Sequence, residues 1–166
     1  MLGARRGARG IARYSYITGT GTLTNNSTGT ITLKNQSTLN IQVALAQKGR
    51  VDLDTGSLSI SGDLKLKATA TLAVTMGAAA HGSLTVTGDT QLAGKLAITT
   101  QAGYTPPAGT AATIVTTTGN QTGGFATITG QAITGTTRWD MSTAANHVTL
   151  TVVPVVGAAS IVRRPR

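Results

Sequence analysis

The chain has 166 residues, 40% of them hydrophobic and 3% aromatic, with 32 Thr, 21 Gly, one Trp, one Phe, no Glu and no Cys. That length fits one domain with a single core, and so few rings make the core thin and aliphatic. The absence of Cys excludes a disulfide scaffold, Cys-ligated metal and thiol chemistry, and no run approaches the roughly 18 apolar residues of a transmembrane helix.

The net charge of +9 is concentrated at the two ends. Arg5, Arg6, Arg9 and Arg13 crowd the start and Arg163, Arg164 and Arg166 the finish, while residues 14–162 carry seven Lys/Arg against five Asp. A nucleic-acid-binding domain spreads its cations over one face with aromatics among them. Two Arg-rich ends on a near-neutral body point instead to solubility or to contact with a neighbouring subunit, with polyanion contact as the alternative.

In chain order, residues 1–13 form a basic arm. Met1–Arg6 looks like the start of an export signal, but the segment Ile11–Ile17 is short and broken by Arg13, Tyr14 and Tyr16. A secretory signal is therefore not expected. From residue 14 onward, apolar side chains recur every second position and helix formers are scarce, which predicts short strands. Strands are expected at Thr22–Thr24, Ile31–Leu33, Leu39–Val43, Val51–Leu53, Leu58–Ile60, Leu64–Leu66, Leu72–Val74, Leu84–Val86 and Leu96–Ile98. Ala44–Gln47 and Ala78–His81 are each expected to make at most one helical turn. Gly, Asn and Asp separate the strands, as turn chemistry requires.

An internal repeat sharpens this reading. Ser57–Leu66 aligns with Ser83–Leu92 at an offset of 26, and Thr71–Thr75 with Lys95–Thr99; a fainter copy starts at Thr30. Starts at 30, 57 and 83 imply coils of about two dozen residues, the size of a β-solenoid rung. The fold expected is all-β, a short-strand β-solenoid, with a β-sandwich of duplicated hairpins as the alternative because Gly62-Asp63 and Gly88-Asp89 also suit hairpin turns. A single β domain over 14–153 is expected, with repeat-like strands over 14–103 and a capping segment over 104–153, where the only Phe and the only Trp fall. Residues 154–166 form a tail carrying the second Arg cluster.

The run Gly82–Val153 resembles the carboxy-terminal end of autotransporter-type β-helix passengers and related bacterial surface adhesins. The residues that carry the resemblance are Gly82–Gly88, Leu92–Ile98, Gly103–Gly109, Ile114-Val115, Gly123–Ala126 and Val148–Val152, in that order. The resemblance implies a β-helix fold and an exported, surface-exposed protein.

Chemistry-bearing residues are few. His81 and His147 are expected as exposed loop histidines rather than ligands or bases. Asp52 and Asp54, two apart, would share a strand face and could hold a cation, although Lys48 and Arg50 nearby make a solvated face the simpler reading. Asp63 and Asp89 follow Gly in the repeat and are expected in turns. With five Asp, no Glu and five aromatics, a carboxylate pair in a sugar groove is a poor prospect, and Gly19-Thr20-Gly21 lacks the Lys-Ser/Thr of a phosphate loop. No catalytic residue, cofactor or metal is expected.

Thr-x-Thr pairs put hydroxyls on one strand face, but their spacing along the chain is irregular, which weighs against ice binding. The function expected is that of a non-catalytic, self-associating building block of an extracellular fibre or surface assembly, joined to copies of itself by strand addition. The subunit contacts would come from Arg5, Arg6, Arg9, Arg13, Tyr14, Tyr16, Val148, Leu150, Val152, Arg163, Arg164 and Arg166. The alternatives are a viral coat or decoration protein whose Arg arms touch nucleic acid, and a carbohydrate- or ice-binding module.

Overall fold

A computed structural model describes the backbone of residues 3–6 and the whole of residues 14–156. After β1 (Gly3–Arg6), the chain winds through five coils of three short strands each. The first coil is β2 (Tyr14–Thr18), β3 (Thr22–Asn25) and β4 (Thr30–Thr32); the second is β5 (Thr38–Ile41), β6 (Ala44–Gln47) and β7 (Arg50–Asp52). The third is β8 (Ser57–Ile60), β9 (Leu64–Leu66) and β10 (Thr71–Met76), and the fourth β11 (Ser83–Val86), β12 (Thr90–Leu92) and β13 (Lys95–Thr100). The fifth is β14 (Ala111–Thr117), β15 (Gln121–Gly123) and β16 (Thr127–Thr129), after which β17 (Thr137–Thr143) and β18 (His147–Pro154) form a hairpin.

No strand within a coil pairs with its neighbour in sequence. Each pairs in parallel with the equivalent strand of the next coil, which builds three walls. Wall one runs β1-β2-β5-β8-β11-β14-β18-β17, wall two β3-β6-β9-β12-β15 and wall three β4-β7-β10-β13-β16. This is a β-solenoid, and the sandwich alternative fails because β8 and β9, on either side of Gly62-Asp63, belong to different sheets.

Period-two alternation does the packing. In wall one Leu39, Leu58, Leu84 and Val115 stack inward in register, and in wall three Ile31, Val51, Leu72, Leu96 and Ile128 do the same. The buried apolar set is Leu, Ile, Val, Ala and Met with a single ring, Trp139. Two buried hydroxyls satisfy each other, Thr117 Oγ1 donating to Thr90 Oγ1 at 2.9 Å. Gln47 is fully buried with neither amide atom paired.

The corners explain the glycine content. Where wall one turns into wall two, Gly62, Gly88 and Gly119 stack so closely that a Cβ on Gly88 would lie 2.7 Å from the Gly62 carbonyl carbon. The residues after them form a ladder: the Asp89 N–H donates to Asp63 Oδ1 at 2.9 Å, and the Asn120 N–H to Asp89 Oδ1 at 2.8 Å. Each side chain thereby satisfies an amide that the coil above leaves free at its bend. Asp89→Ala should lower stability by about 1.5–3 kcal/mol, the range for a hydrogen bond to a charged group. Asp89→Asn, which keeps an acceptor oxygen, should recover most of that loss in chemical denaturation. Equal losses in both variants would contradict a hydrogen-bonding role.

The repeat is confirmed in register: Ser57 lies beside Ser83 and Thr71 beside Lys95. The third start is corrected. Thr30–Thr32 belongs to wall three, and the strand stacked on Ser57 begins at Thr38. Coil length is also uneven, with wall-one offsets of 24 (Tyr14 to Thr38), 19 (Thr38 to Ser57), 26 (Ser57 to Ser83) and 31 (Leu84 to Val115). Ala44–Gln47 is strand β6 rather than a helical turn, because stacking between β3 and β9 commits Leu45 and Gln47 to the interior. The segment expected to cap the solenoid from residue 104 contributes a full fifth coil first, and within that segment the β17–β18 hairpin departs from the parallel pattern, as β1 does at the other end.

Candidate functional site

The two ends of the solenoid differ. At the carboxy-terminal end β18 pairs antiparallel with β14 and β17 with β18, and the fully buried Trp139 of β17 reaches back to donate from Nε1 to Thr100 Oγ1 at 2.9 Å. The loop before it is tied in, the Trp139 N–H donating to the Gln131 carbonyl at 2.7 Å and Gln131 Nε2 to the Trp139 carbonyl at 3.1 Å.

At the amino-terminal end, among the described residues, nothing stacks on β3 or β4. The inward residues Leu23 and Ile31 are accordingly only half-buried, as is Ile17 of β2, which pairs with Ala4 of β1, whereas their partners Ile41, Leu45 and Val51 in the second coil are buried. A small hollow of about 90 Å³ lies here, lined by Ile17, Leu23 and Val43 and by the Thr18–Thr24 bend. Among the described residues, backbone groups on this edge are also without partners. Asn25 accepts from Lys48 in β6's coil and Leu33 donates to Asp52, so the alternate residues Thr24 and Thr32 turn their amides outward.

The sides of the solenoid differ as well. Cations and carboxylates of the coils sit on walls two and three, at Lys65, Arg50, Asp52 and Lys95, and at the bends. Arg50 and Asp52 pair on the wall-three surface at 3.1 Å. From β2 to β14 the outer face of wall one carries no charge. Tyr16, Asn40, Ser59, Thr85 and Thr116 form one row across the strands, flanked by Tyr14, Thr38, Ser57 and Ser83. The third row is Thr18, Gln42, Ser61, Thr87 and Thr118; the N–H groups of the last four donate to the Ile17, Ile41, Ile60 and Val86 carbonyls of the preceding coil. Some hydroxyls hold each other or the backbone, as Ser57 Oγ with Ser83 Oγ at 2.9 Å and Thr118 Oγ1 with the Thr87 carbonyl at 2.7 Å. Tyr14 and Tyr16 are 52% and 43% exposed.

Several sequence expectations move. Val148, Leu150 and Val152 are core residues, and both edges of β18 are occupied within the chain, so that strand offers no free edge to a neighbour. Tyr14 and Tyr16 lie in β2, which is also paired on both sides, by β1 and β5; their side chains present a face, not an edge. Arg5 and Arg6 stand in β1, in register with Tyr16 and Ser15. Arg9, Arg13, Arg163, Arg164 and Arg166 lie outside the described residues.

Asp52 and Asp54 do not share a strand face. β7 ends at Asp52, and Asp54 turns away in a left-handed conformation (φ 38°) with its N–H donated to Asp52 Oδ1 at 3.3 Å. His81 is half-buried with Nε2 at 3.2 Å from the Thr113 carbonyl, and His147 Nδ1 lies 2.8 Å from Asn146 Oδ1. Both are held by structural partners rather than exposed in loops. Among the described residues no three His or Asp side chains converge on a common point, and no helix is long and apolar enough to cross a membrane.

No protein-family model matches the chain, and no curated protein sequence matches it.

Proposed function

We propose that the protein is a non-catalytic structural element of an extracellular or cell-surface assembly, whose subunits join by strand addition at the open first coil. The observation that carries this reading is the asymmetry of the ends: an aromatic seal over the fifth coil, against half-buried Ile17, Leu23 and Ile31 and edges of β3 and β4 on which no strand pairs among the described residues. An unpaired parallel edge beside half-buried apolar side chains is a template for another strand, because pairing there satisfies amides and completes burial of the aliphatic stack. The near-neutral body removes the like-charge repulsion that would oppose such stacking. The likeness to β-helix passengers supports a surface location. Among the side chains described, no nucleophile–base pair and no carboxylate pair facing a groove favours catalysis.

Proline placed on the free side of an edge strand removes an outward donor and leaves the inner ladder intact. Thr24→Pro/Thr32→Pro should therefore abolish concentration-dependent assembly, seen by sedimentation velocity and negative-stain imaging, while the monomer keeps its β circular dichroism. A wild-type chain that stays monomeric at every concentration would refute the proposal, as would a folded double variant that assembles like wild type.

A further inference from the structure

Wall one offers a second surface, distinct from the open end. Its strands are in parallel register about 4.8 Å apart, so polar side chains repeat across it at that spacing and about 6.6 Å along each strand. From β2 to β14 the outward positions in register hold Thr, Ser, Asn, Gln and Tyr, with Ala111 added at the start of β14. Hydroxyls and amides offer donors and acceptors together, which suits a ligand that is itself rich in hydroxyls. An anionic ligand would instead be met by Arg or Lys in fixed positions along its length; the rows over these five strands have none, and Arg5 of β1 comes into register with Tyr16 only at their end. A protein partner would call for a buried apolar or aromatic centre in the patch, and the centre of this one, Ser59 and Thr85, is polar.

The second observation is where the exposed rings sit. Among the described residues, Tyr14, Tyr16, Val155 and Val156 are the exposed large hydrophobics. Both tyrosines fall on this same outer face, two residues apart on one strand and at the end of the hydroxyl rows. A tyrosine whose ring is half open to solvent pays for that exposure unless something stacks on it; its flat apolar face and polar tip suit an amphipathic ring. A pyranose has that character, with an apolar C–H face and a rim of hydroxyls.

We infer that the outer face of wall one is a binding surface for a neutral polysaccharide chain, with Tyr14 and Tyr16 stacking on sugar rings and the Asn40, Ser59, Thr85 and Thr116 row hydrogen-bonding to their hydroxyls. The ligand lies across the strands, along the solenoid axis. This surface is independent of the first-coil edge, so it holds whether or not the subunits assemble.

The test is retention of the purified chain in affinity electrophoresis and pull-down on a panel of neutral polymers (cellulose, chitin, xylan, mannan and starch) with polygalacturonate and heparin as acidic controls. The expected result is retention by at least one neutral polymer that persists at high salt and falls tenfold or more in Tyr14→Ala/Tyr16→Ala. Thr85→Lys, which plants a charge in mid-row at an exposed position, should weaken it comparably, and thermal melts of all variants confirm folding. Retention by no neutral polymer would overturn the inference. Salt-sensitive binding to the acidic polymers alone would also overturn it and favour the arginines, as would neutral-polymer binding that folded forms of both variants keep in full. Should the tyrosine variant fail to fold, Thr85→Lys decides alone.

Discussion

Replacing Trp139 with alanine should lower the stability by about 3–5 kcal/mol, the usual cost of emptying a large aromatic site in a core. Trp139 is the only ring among the fully buried side chains and closes the stack over the fifth coil. Its removal leaves a cavity, orphans the Thr100 hydroxyl, and loosens β17, whose second edge is held by the short Gln131–Ile133 segment rather than by a full strand. Trp139→Phe retains most of the volume and loses the indole donor, so it should cost about 1–3 kcal/mol, the range expected for a lost buried hydrogen bond and its unpaired partner. Denaturant midpoints measure both. A loss below about 1 kcal/mol for alanine would mean that the ring does not seal the last coil, since deletion of so large a buried group would then cost less than any comparable core truncation.

Gly94→Ala is expected to cost about 2–5 kcal/mol, combining a left-handed backbone conformation with overpacking between coils. Gly94 turns the fourth coil from wall two to wall three with φ of +76°, and a Cβ there would meet the Ala70 carbonyl oxygen at 2.3 Å and that of Lys67 at 2.8 Å. Both contacts are backbone atoms of the coil beneath, which cannot rotate away. The same carbonyl column carries the register, Lys95 donating to Ala70 and Ala126 to Gly94. Gly103→Ala is the contrasting control: its φ is also positive (+80°) but nothing lies within 4 Å. It should therefore show only the conformational part, about 1 kcal/mol or slightly more. Equal costs for the two would remove the case for close stacking at the corner.

Much of the fold was readable because a solenoid writes its packing into local alternation. Leu58 and Ile60, or Leu84 and Val86, announce an inward face without knowledge of any partner, and the shared Ser-Leu-x-x-x-Gly-Asp pattern betrays a stack one coil apart. Ala44–Gln47 was not readable, since four residues of Ala, Leu and Gln carry no strand preference and only β3 and β9 on either side commit them. Gln47 is a starker case: nothing in its sequence marks an amide for burial without a partner.

The candidate surfaces were the least legible part. Alternation in Val148–Val152 is the same signal for an edge strand and for a strand covered on both sides, and only the topology separates them. The polar rows of wall one were hidden because Asn40, Ser59, Thr85 and Thr116 are separated by 19, 26 and 31 residues. Irregular in the chain, they are regular in space.

That mismatch between chain spacing and spatial spacing bears on how the molecule tolerates change. Coils of 19 to 31 residues share one register because every surplus residue is expelled at a bend, most of all between β13 and β14, where Gln101–Gly103 and Pro107–Gly109 are exposed. Lengthening such a bend costs little loop entropy, about 0.6 kcal/mol per doubling, and leaves each wall as it was. The solenoid thus separates two kinds of variation. Insertions at the bends add decoration, while the pattern displayed on a wall can be rewritten one outward side chain at a time.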